Sequence, residues 1–133
     1  MTFTSLQFED LAPERPGWLR LTKSLVFTHA CFDVIVPKGF ETDLASIPRW
    51  FAPFGFTKLG RYDKAAVVHD WLYRSIASTS KDPLTYTMSR FLADAIFREA
   101  MMTLGVETWR RVLMYYAVRL FGWYGIRQIQ NGA

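Results

Sequence analysis

The sequence predicts an α+β fold in which a small N-terminal antiparallel β-unit precedes a loop and three α-helices. Residues 1–60 hold five of the six prolines and several short runs of alternating or β-branched side chains. Residues 61–133 instead show the three- and four-residue apolar spacing of amphipathic helices. Strands followed by helices, rather than alternating with them, are typical of α+β proteins. At 133 residues, the chain is expected to form a single domain around one core.

Three short segments of the N-terminal half are predicted strands. Residues 18–22 alternate apolar and polar side chains, and residues 25–28 and 31–37 are rich in β-branched and aromatic residues. We expect two or three short antiparallel strands joined by tight turns. Residues 39–60 then form a predicted connector that contains prolines and two aromatic clusters.

The first two predicted helices are expected to pack as a hairpin. The first covers residues 62–77, and Asp63 favours its N-terminus because a carboxylate there can cap or complement the helix dipole. The second covers residues 89–104, with Ser89 as its N-cap and Gly105 as the residue that stops it.

The third predicted helix covers residues 107–121, and Gly122 is expected to loosen the chain after it. This helix mixes basic and aromatic residues. Packing against the core explains most such patterns, because arginine stems can cover apolar surface. The alternative is an interfacial face in which Trp123, Tyr124 and Arg127 meet lipid headgroups or a partner protein. An upstream aromatic cluster could extend that rim: Trp50, Phe51, Phe54 and Phe56.

Composition limits the classes of function. The net charge of +4, from 16 basic and 12 acidic residues, is a mild excess that suits an anionic surface. Basic residues are scattered and no nucleic-acid-reading motif occurs, so nucleic-acid binding is not expected. Cys31 is the single cysteine, which excludes an intrachain disulfide. Residues 1–5 do not resemble a signal peptide, and Arg119 interrupts the longest apolar stretch, so we expect synthesis as a soluble chain in the host cytoplasm.

Ionisable residues interrupt the apolar faces of the first two predicted helices. His69 and Asp70 lie in one apolar stretch, and Asp94 lies in another. Ionisable groups among core residues cost free energy unless they are paired. Packing the two helices would bring His69 against Asp94, and a carboxylate bound to one ring nitrogen makes the other a better base. Tyr73, one turn after His69, is placed to support Asp94. A purely structural polar network is the alternative interpretation.

Asp70 points about 100° away from His69 on a helix, so it can face a different partner, such as a hard cation with oxygen ligands. Asp43 is a candidate second metal ligand. A Ser46–His69–Asp94 triad is also conceivable, but the Gly-x-Ser-x-Gly nucleophile elbow is missing from the sequence. Ordinary turn chemistry explains residues 42–46 equally well.

The motif His-Asp-x-x-Tyr on one helix, followed by Ala-Asp-x-x-Phe on the next, resembles the phospholipase A2 superfamily, and most closely its disulfide-poor bacterial and parvoviral branches. The likeness covers residues 62–101. It implies that His69 activates a water molecule, that Asp70 binds calcium, and that Asp94 orients the imidazole with support from Tyr73.

A second likeness covers most of residues 39–105. Gly-Phe-x-Thr-Asp-x-Ala-Ser-Ile-Pro, followed by Arg-Tyr-x-x-Ala-Ala-x-x-His-Asp-x-Leu-Tyr, resembles a group of small phage and prophage proteins of unassigned function. It implies a phage origin but not an activity, and association with the virion is a further expectation. The expected function is hydrolysis of phospholipid or another ester, with a membrane lipid surface or phage structural proteins as partners. The alternatives are a non-catalytic tail or capsid protein and a hydrolase acting on the cell wall.

Overall fold

The computed structural model describes residues 1–43, 62–79 and 81–132. In this part of the chain, short strands come first and three helices follow, which confirms the predicted α+β class. The strands are β1 (Thr2–Phe3), β2 (Phe8–Asp10), β3 (Leu19–Leu21), β4 (Leu25–Thr28), β5 (Asp33–Val36) and β6 (Glu41–Thr42). The helices are α1 (Asp63–Thr79), α2 (Pro83–Thr103) and α3 (Thr108–Gly132).

The strands form two antiparallel three-stranded sheets, in the orders β1-β4-β5 and β2-β3-β6. The three predicted strands are confirmed as β3, β4 and β5 of an N-terminal group of antiparallel strands. Of these three, only β4 and β5 pair with each other, because β3 lies between β2 and β6 instead. The missed strands are two or three residues long, too short to show a period of two in the sequence.

Burial alternates along the β4–β5 hairpin as expected for a sheet with one face in the core. Leu25 and Phe27 on β4, and Val34 and Val36 on β5, are buried, while Ile35 faces outward. This inner face packs in one cluster with buried residues of the three helices. The sheets therefore form one wall of the core and the helices form the other.

Helix α2 begins seven residues earlier than predicted. Asp82, not Ser89, is its N-cap and accepts hydrogen bonds from the backbone N–H groups of Leu84 (3.2 Å) and Thr85 (2.9 Å). Pro83 follows at the first helical position, where its missing N–H costs nothing. The other end is as predicted, since Gly105 has a φ of +73° just past the helix.

Helix α3 continues to Gly132, so the prediction that it loosens after residue 121 is wrong. Gly122 lies inside the helix, where a Cβ atom would come within 2.3 Å of the Tyr73 hydroxyl of α1. This glycine allows two helices to approach closely rather than ending one of them. Within the described ranges, no helix is long and apolar enough to cross a membrane.

Candidate catalytic centre

The structure brings His69 of α1 and Asp94 of α2 together. The imidazole Nε2 lies 2.8 Å from the Asp94 Oδ1 atom, and both side chains are removed from solvent, with His69 3% exposed and Asp94 fully buried. Small buried residues allow the close approach that a short aspartate side chain needs. Ala65 and Ala66 supply them on α1, and Ala93 supplies one on α2.

Tyr73 also reaches Asp94, as the sequence analysis expected. Its hydroxyl donates to the same Oδ1 atom at 2.5 Å. The tyrosine ring lies 4.0 Å from the imidazole ring, and the Phe97 ring lies 4.5 Å from it. Burial, together with the neighbouring Asp94 charge, raises the pKa of Tyr73, so its hydroxyl remains a donor at neutral pH. The imidazole is thus held between two rings as well as by its hydrogen bond.

Arg119 of α3 is a member of this centre that the sequence analysis missed. Its Nη1 donates to the Asp94 Oδ2 atom at 2.8 Å, and its guanidinium lies over the Phe91 ring at 5.3 Å. Arg90 of α2 fixes the adjacent backbone by donating to the carbonyl oxygens of Val118 (2.8 Å) and Arg119. One signal was available, since Arg119 is the charge that interrupts the longest apolar stretch. In the sequence alone, that charge argues against a membrane span and does not indicate its partner.

The Asp94 carboxylate is ionised at neutral pH despite its burial. Burial alone would raise its pKa, but hydrogen bonds from His69, Tyr73 and Arg119, with the His69 charge, outweigh that effect and lower the pKa. An ionised carboxylate can only accept hydrogen bonds, so Nε2 of a neutral His69 carries the ring proton. The other ring nitrogen, Nδ1, is then unprotonated, and its lone pair can accept a proton.

Asp70 faces away from this centre, as its helical position predicts. Its Oδ2 lies 3.4 Å from the Arg74 Nε, and it also hydrogen-bonds the Thr42 side chain of β6. Burial raises the Asp70 pKa, the Asp43 charge adds to that rise, and Arg74 and Thr42 oppose it. Asp43 and Asp70 are thus close enough for their charges to interact.

A hard cation would find two carboxylates at this second site. Across the residues that the structure describes, no group of three or more His, Cys, Asp or Glu side chains could hold a metal ion. The assignment of Asp70 and Asp43 as metal ligands therefore stays a prediction. Ser46, the nucleophile of the alternative triad, and the aromatic residues 50–56 lie outside the described residues.

A shallow cavity of ≈ 210 Å³ opens between α1 and α2. Leu72 and Ile76 of α1 line it with Leu92, Ala93 and Ile96 of α2, so its walls are mainly apolar. Ala93 directly precedes Asp94 in the chain. The lining residues do not include His69, Tyr73 or Asp94 themselves.

Comparisons with known proteins identify relatives without a described activity. A family model described as "Protein of unknown function (DUF1353)" matches residues 19–118, a range that includes His69, Tyr73 and Asp94. The chain is 34% identical over 86 residues to "Uncharacterized protein y4iH" of Sinorhizobium fredii (strain NBRC 101917 / NGR234), and the alignment covers 64% of this chain and 32% of that protein. The chain thus spans about a third of the length of this curated relative. No solved structure matches the chain.

Proposed function

The chain belongs to the family described as "Protein of unknown function (DUF1353)", and because that description carries no activity, we propose a function from the site itself. The protein is proposed to be a phage-derived hydrolase of phospholipid or another ester. His69 is the base that activates water, Asp94 orients it, and Tyr73 supports Asp94.

One observation carries the proposal, namely the 2.8 Å contact between His69 Nε2 and the buried, ionised Asp94. The carboxylate fixes the ring orientation and the tautomer, and it stabilises the imidazolium that forms when Nδ1 takes a proton. Nδ1 removes a proton from water as the water oxygen attacks the ester carbonyl carbon. When the tetrahedral intermediate collapses, the carbon–oxygen bond to the alcohol breaks, and His69 returns the proton to the leaving oxygen.

Calcium is an optional part of the proposal. Asp70 and Asp43 would hold it through carboxylate oxygens, which are the ligands that calcium prefers. The fit is partial, because the Arg74 guanidinium lies 3.4 Å from Asp70 and competes for that carboxylate. The proposed hydrolytic step therefore uses His69 and water alone.

A second candidate is a non-catalytic virion or assembly protein, and the burial of the centre favours it. His69 is only 3% exposed, and Arg119 neutralises the Asp94 charge from a third helix. Such a network can serve to fix the helix packing. The proposed partners are then phage structural proteins. A hydrolase acting on cell-wall material would use the same His69 and differ only in its substrate.

The test measures fatty acid release from phospholipid vesicles and acid release from a soluble short-chain ester, each with calcium and with a chelator. We expect His69→Gln to lower the rate by about 10²- to 10⁴-fold, the range typical of a general base. The other histidine of the chain, His29, is the matched control, because it lies outside the centre and stacks on Phe32. His29→Gln should retain full activity.

Stability distinguishes loss of chemistry from loss of fold. Urea unfolding of both variants should show native folding at the assay temperature. A wild-type protein that hydrolyses neither substrate under either condition would refute the ester hydrolase and favour the structural candidate. Equal rates in wild type and His69→Gln would refute the role of His69.

A further inference from the structure

Helix α3 presents a row of large apolar side chains to solvent. Their spacings of three and four residues keep them on one side of the helix, and they are 45–63% exposed. The α3 apolar face consists of Trp109, Val112, Tyr116, Leu120 and Trp123. Single exposed apolar residues are ordinary, but a row of five that includes two tryptophans and a tyrosine is typical of an interaction surface.

The same helix holds the charge excess of the protein. Residues 108–132 contain no Asp or Glu, and their four basic residues equal the net charge of +4, so the rest of the chain is balanced. These residues are Arg110, Arg111, Arg119 and Arg127. Two of them lie over the tryptophans of the face, Arg110 at 5.1 Å from the Trp109 ring centre and Arg127 at 6.0 Å from that of Trp123.

We propose that the α3 apolar face binds an anionic lipid surface, with the helix lying along the headgroup layer. Tryptophan and tyrosine favour that layer because each has an apolar body and a polar tip, and arginine adds attraction to anionic lipids. This inference rests on the proposed function, because it names the surface through which the enzyme would reach an ester substrate in a membrane. Its test measures vesicle binding and not hydrolysis, so the surface and the enzyme can be refuted separately.

Charge argues against a second copy of the chain as the occupant. Two α3 faces packed together would bring arginines of like charge into one interface, which is unfavourable. Arg127 follows Trp123 by four residues and thus lies on the same side of the helix as the face. An anionic bilayer instead complements Arg110 and Arg127, the two arginines that lie over the tryptophans of the face, while Arg119 pairs with Asp94.

The experiment compares sedimentation of the full chain with vesicles of phosphatidylcholine and with vesicles that also contain phosphatidylglycerol. We expect binding to the anionic vesicles, weakened by salt. Arg127→Gln should weaken that binding about fivefold. Tyr116→Ser combined with Leu120→Ser should weaken it by tenfold or more, since two side chains lose their apolar contact. Matched controls are Leu84→Ser, on the exposed side of α2, and Lys23→Gln, on an exposed turn; both should bind like wild type.

Several outcomes would overturn the proposal. One is that the wild type binds neither kind of vesicle, and another is that the control variants lose as much vesicle binding as the α3 variants. A third is that the α3 substitutions leave vesicle binding unchanged and alter only the size of a self-complex in light scattering. His69→Gln should bind vesicles like wild type. Vesicle binding without hydrolysis of either the phospholipid or the soluble ester would refute the proposed enzyme but not this surface. Hydrolysis of the soluble ester without vesicle binding would refute only the surface.

Discussion

Replacing Asp94 with asparagine should destabilise the protein strongly. In the described part of the chain, the carboxylate accepts hydrogen bonds from His69 (2.8 Å), Tyr73 (2.5 Å) and Arg119 (2.8 Å). Asparagine keeps one acceptor for His69 and Tyr73, but its amide nitrogen would face the Arg119 donor. Removing one partner of a buried ion pair costs about 3–5 kcal/mol. That is a large share of the roughly 5–15 kcal/mol by which such domains are stable.

The pH dependence provides a second measure of the same effect. The Asp94 pKa is lower in the folded protein than its ordinary value of 3.8, so the folded state favours the ionised form. Its contribution is complete above pH 3.8 and is lost as the pH falls through the lowered pKa. The difference in unfolding free energy between wild type and Asp94→Asn should therefore be constant near neutral pH and shrink below pH 3.8.

Asp70→Asn is the matched control, because it makes the same substitution at another buried carboxylate on the neighbouring helix. Burial raises the Asp70 pKa, so the folded protein loses stability as the pH rises from the ordinary value through the raised one. Asp70→Asn should thus lower the free energy of unfolding at neutral pH by no more than about 1 kcal/mol, or should raise it. The reason is that its neighbours compensate only poorly for burying the ionised carboxylate. Arg74, its partner, remains partly solvated.

The assay is urea unfolding of wild type and both variants at pH 7 and at several values between pH 5 and pH 3, followed by circular dichroism. If Asp94→Asn lowers the free energy of unfolding by less than about 1 kcal/mol, or by as much as Asp70→Asn does, Asp94 is not an ionised acceptor of three hydrogen bonds. If the difference in unfolding free energy between wild type and Asp94→Asn stays constant down to pH 3, the lowered Asp94 pKa is contradicted.

Two further predictions concern the helix contact and the metal. Gly122→Ala should destabilise the protein by about 1–3 kcal/mol in thermal unfolding, because the new Cβ would lie 2.3 Å from the Tyr73 hydroxyl. Alanine usually stabilises a helix interior relative to glycine, so a stabilised Gly122→Ala would contradict this close approach. Tyr73→Phe should recover part of the stability lost in Gly122→Ala. If Asp70 binds calcium, a calcium concentration a hundredfold above the dissociation constant should add about 2.7 kcal/mol to wild-type stability. Asp70→Asn should abolish that gain while the exposed control Asp33→Asn keeps it, and an equal gain in all three proteins would rule out Asp70 as the ligand.

The elements that the sequence predicted well are those with strong local signals. The β4–β5 hairpin alternates in burial over two full strands, and Gly105 ends α2 because only a residue tolerant of positive φ fits there. The predicted start of α2 is Ser89 although Asp82 and Pro83 form a standard start signal, because serine is also a favourable N-cap residue. The pairing of β3 away from β4 has no local signal at all.

The candidate site shows the same division between local and tertiary information. His69, Tyr73 and Asp94 could be connected from the sequence because helical spacing places two of them on one face and the third on the helix expected to pack there. Arg119 could not, since its approach depends on the path of α3 after Gly122. A glycine inside a helix suggests a break unless the neighbouring Tyr73 that requires it is known.

The shared carboxylate links stability to the proposed chemistry. Each donor on Asp94 helps to keep it ionised: His69 and Tyr73 share the Oδ1 atom, and Arg119 takes Oδ2 from a third helix. If the centre is catalytic, Arg119→Gln should lower both stability and the hydrolysis rate, because Oδ2 loses its charged partner while His69 and Tyr73 keep their contacts with Oδ1. If the centre only joins three helices, the same variant should lower stability, and neither it nor the wild type should hydrolyse an ester. Arg119 therefore stabilises the centre under both interpretations, and hydrolysis by the wild type is the measurement that distinguishes them.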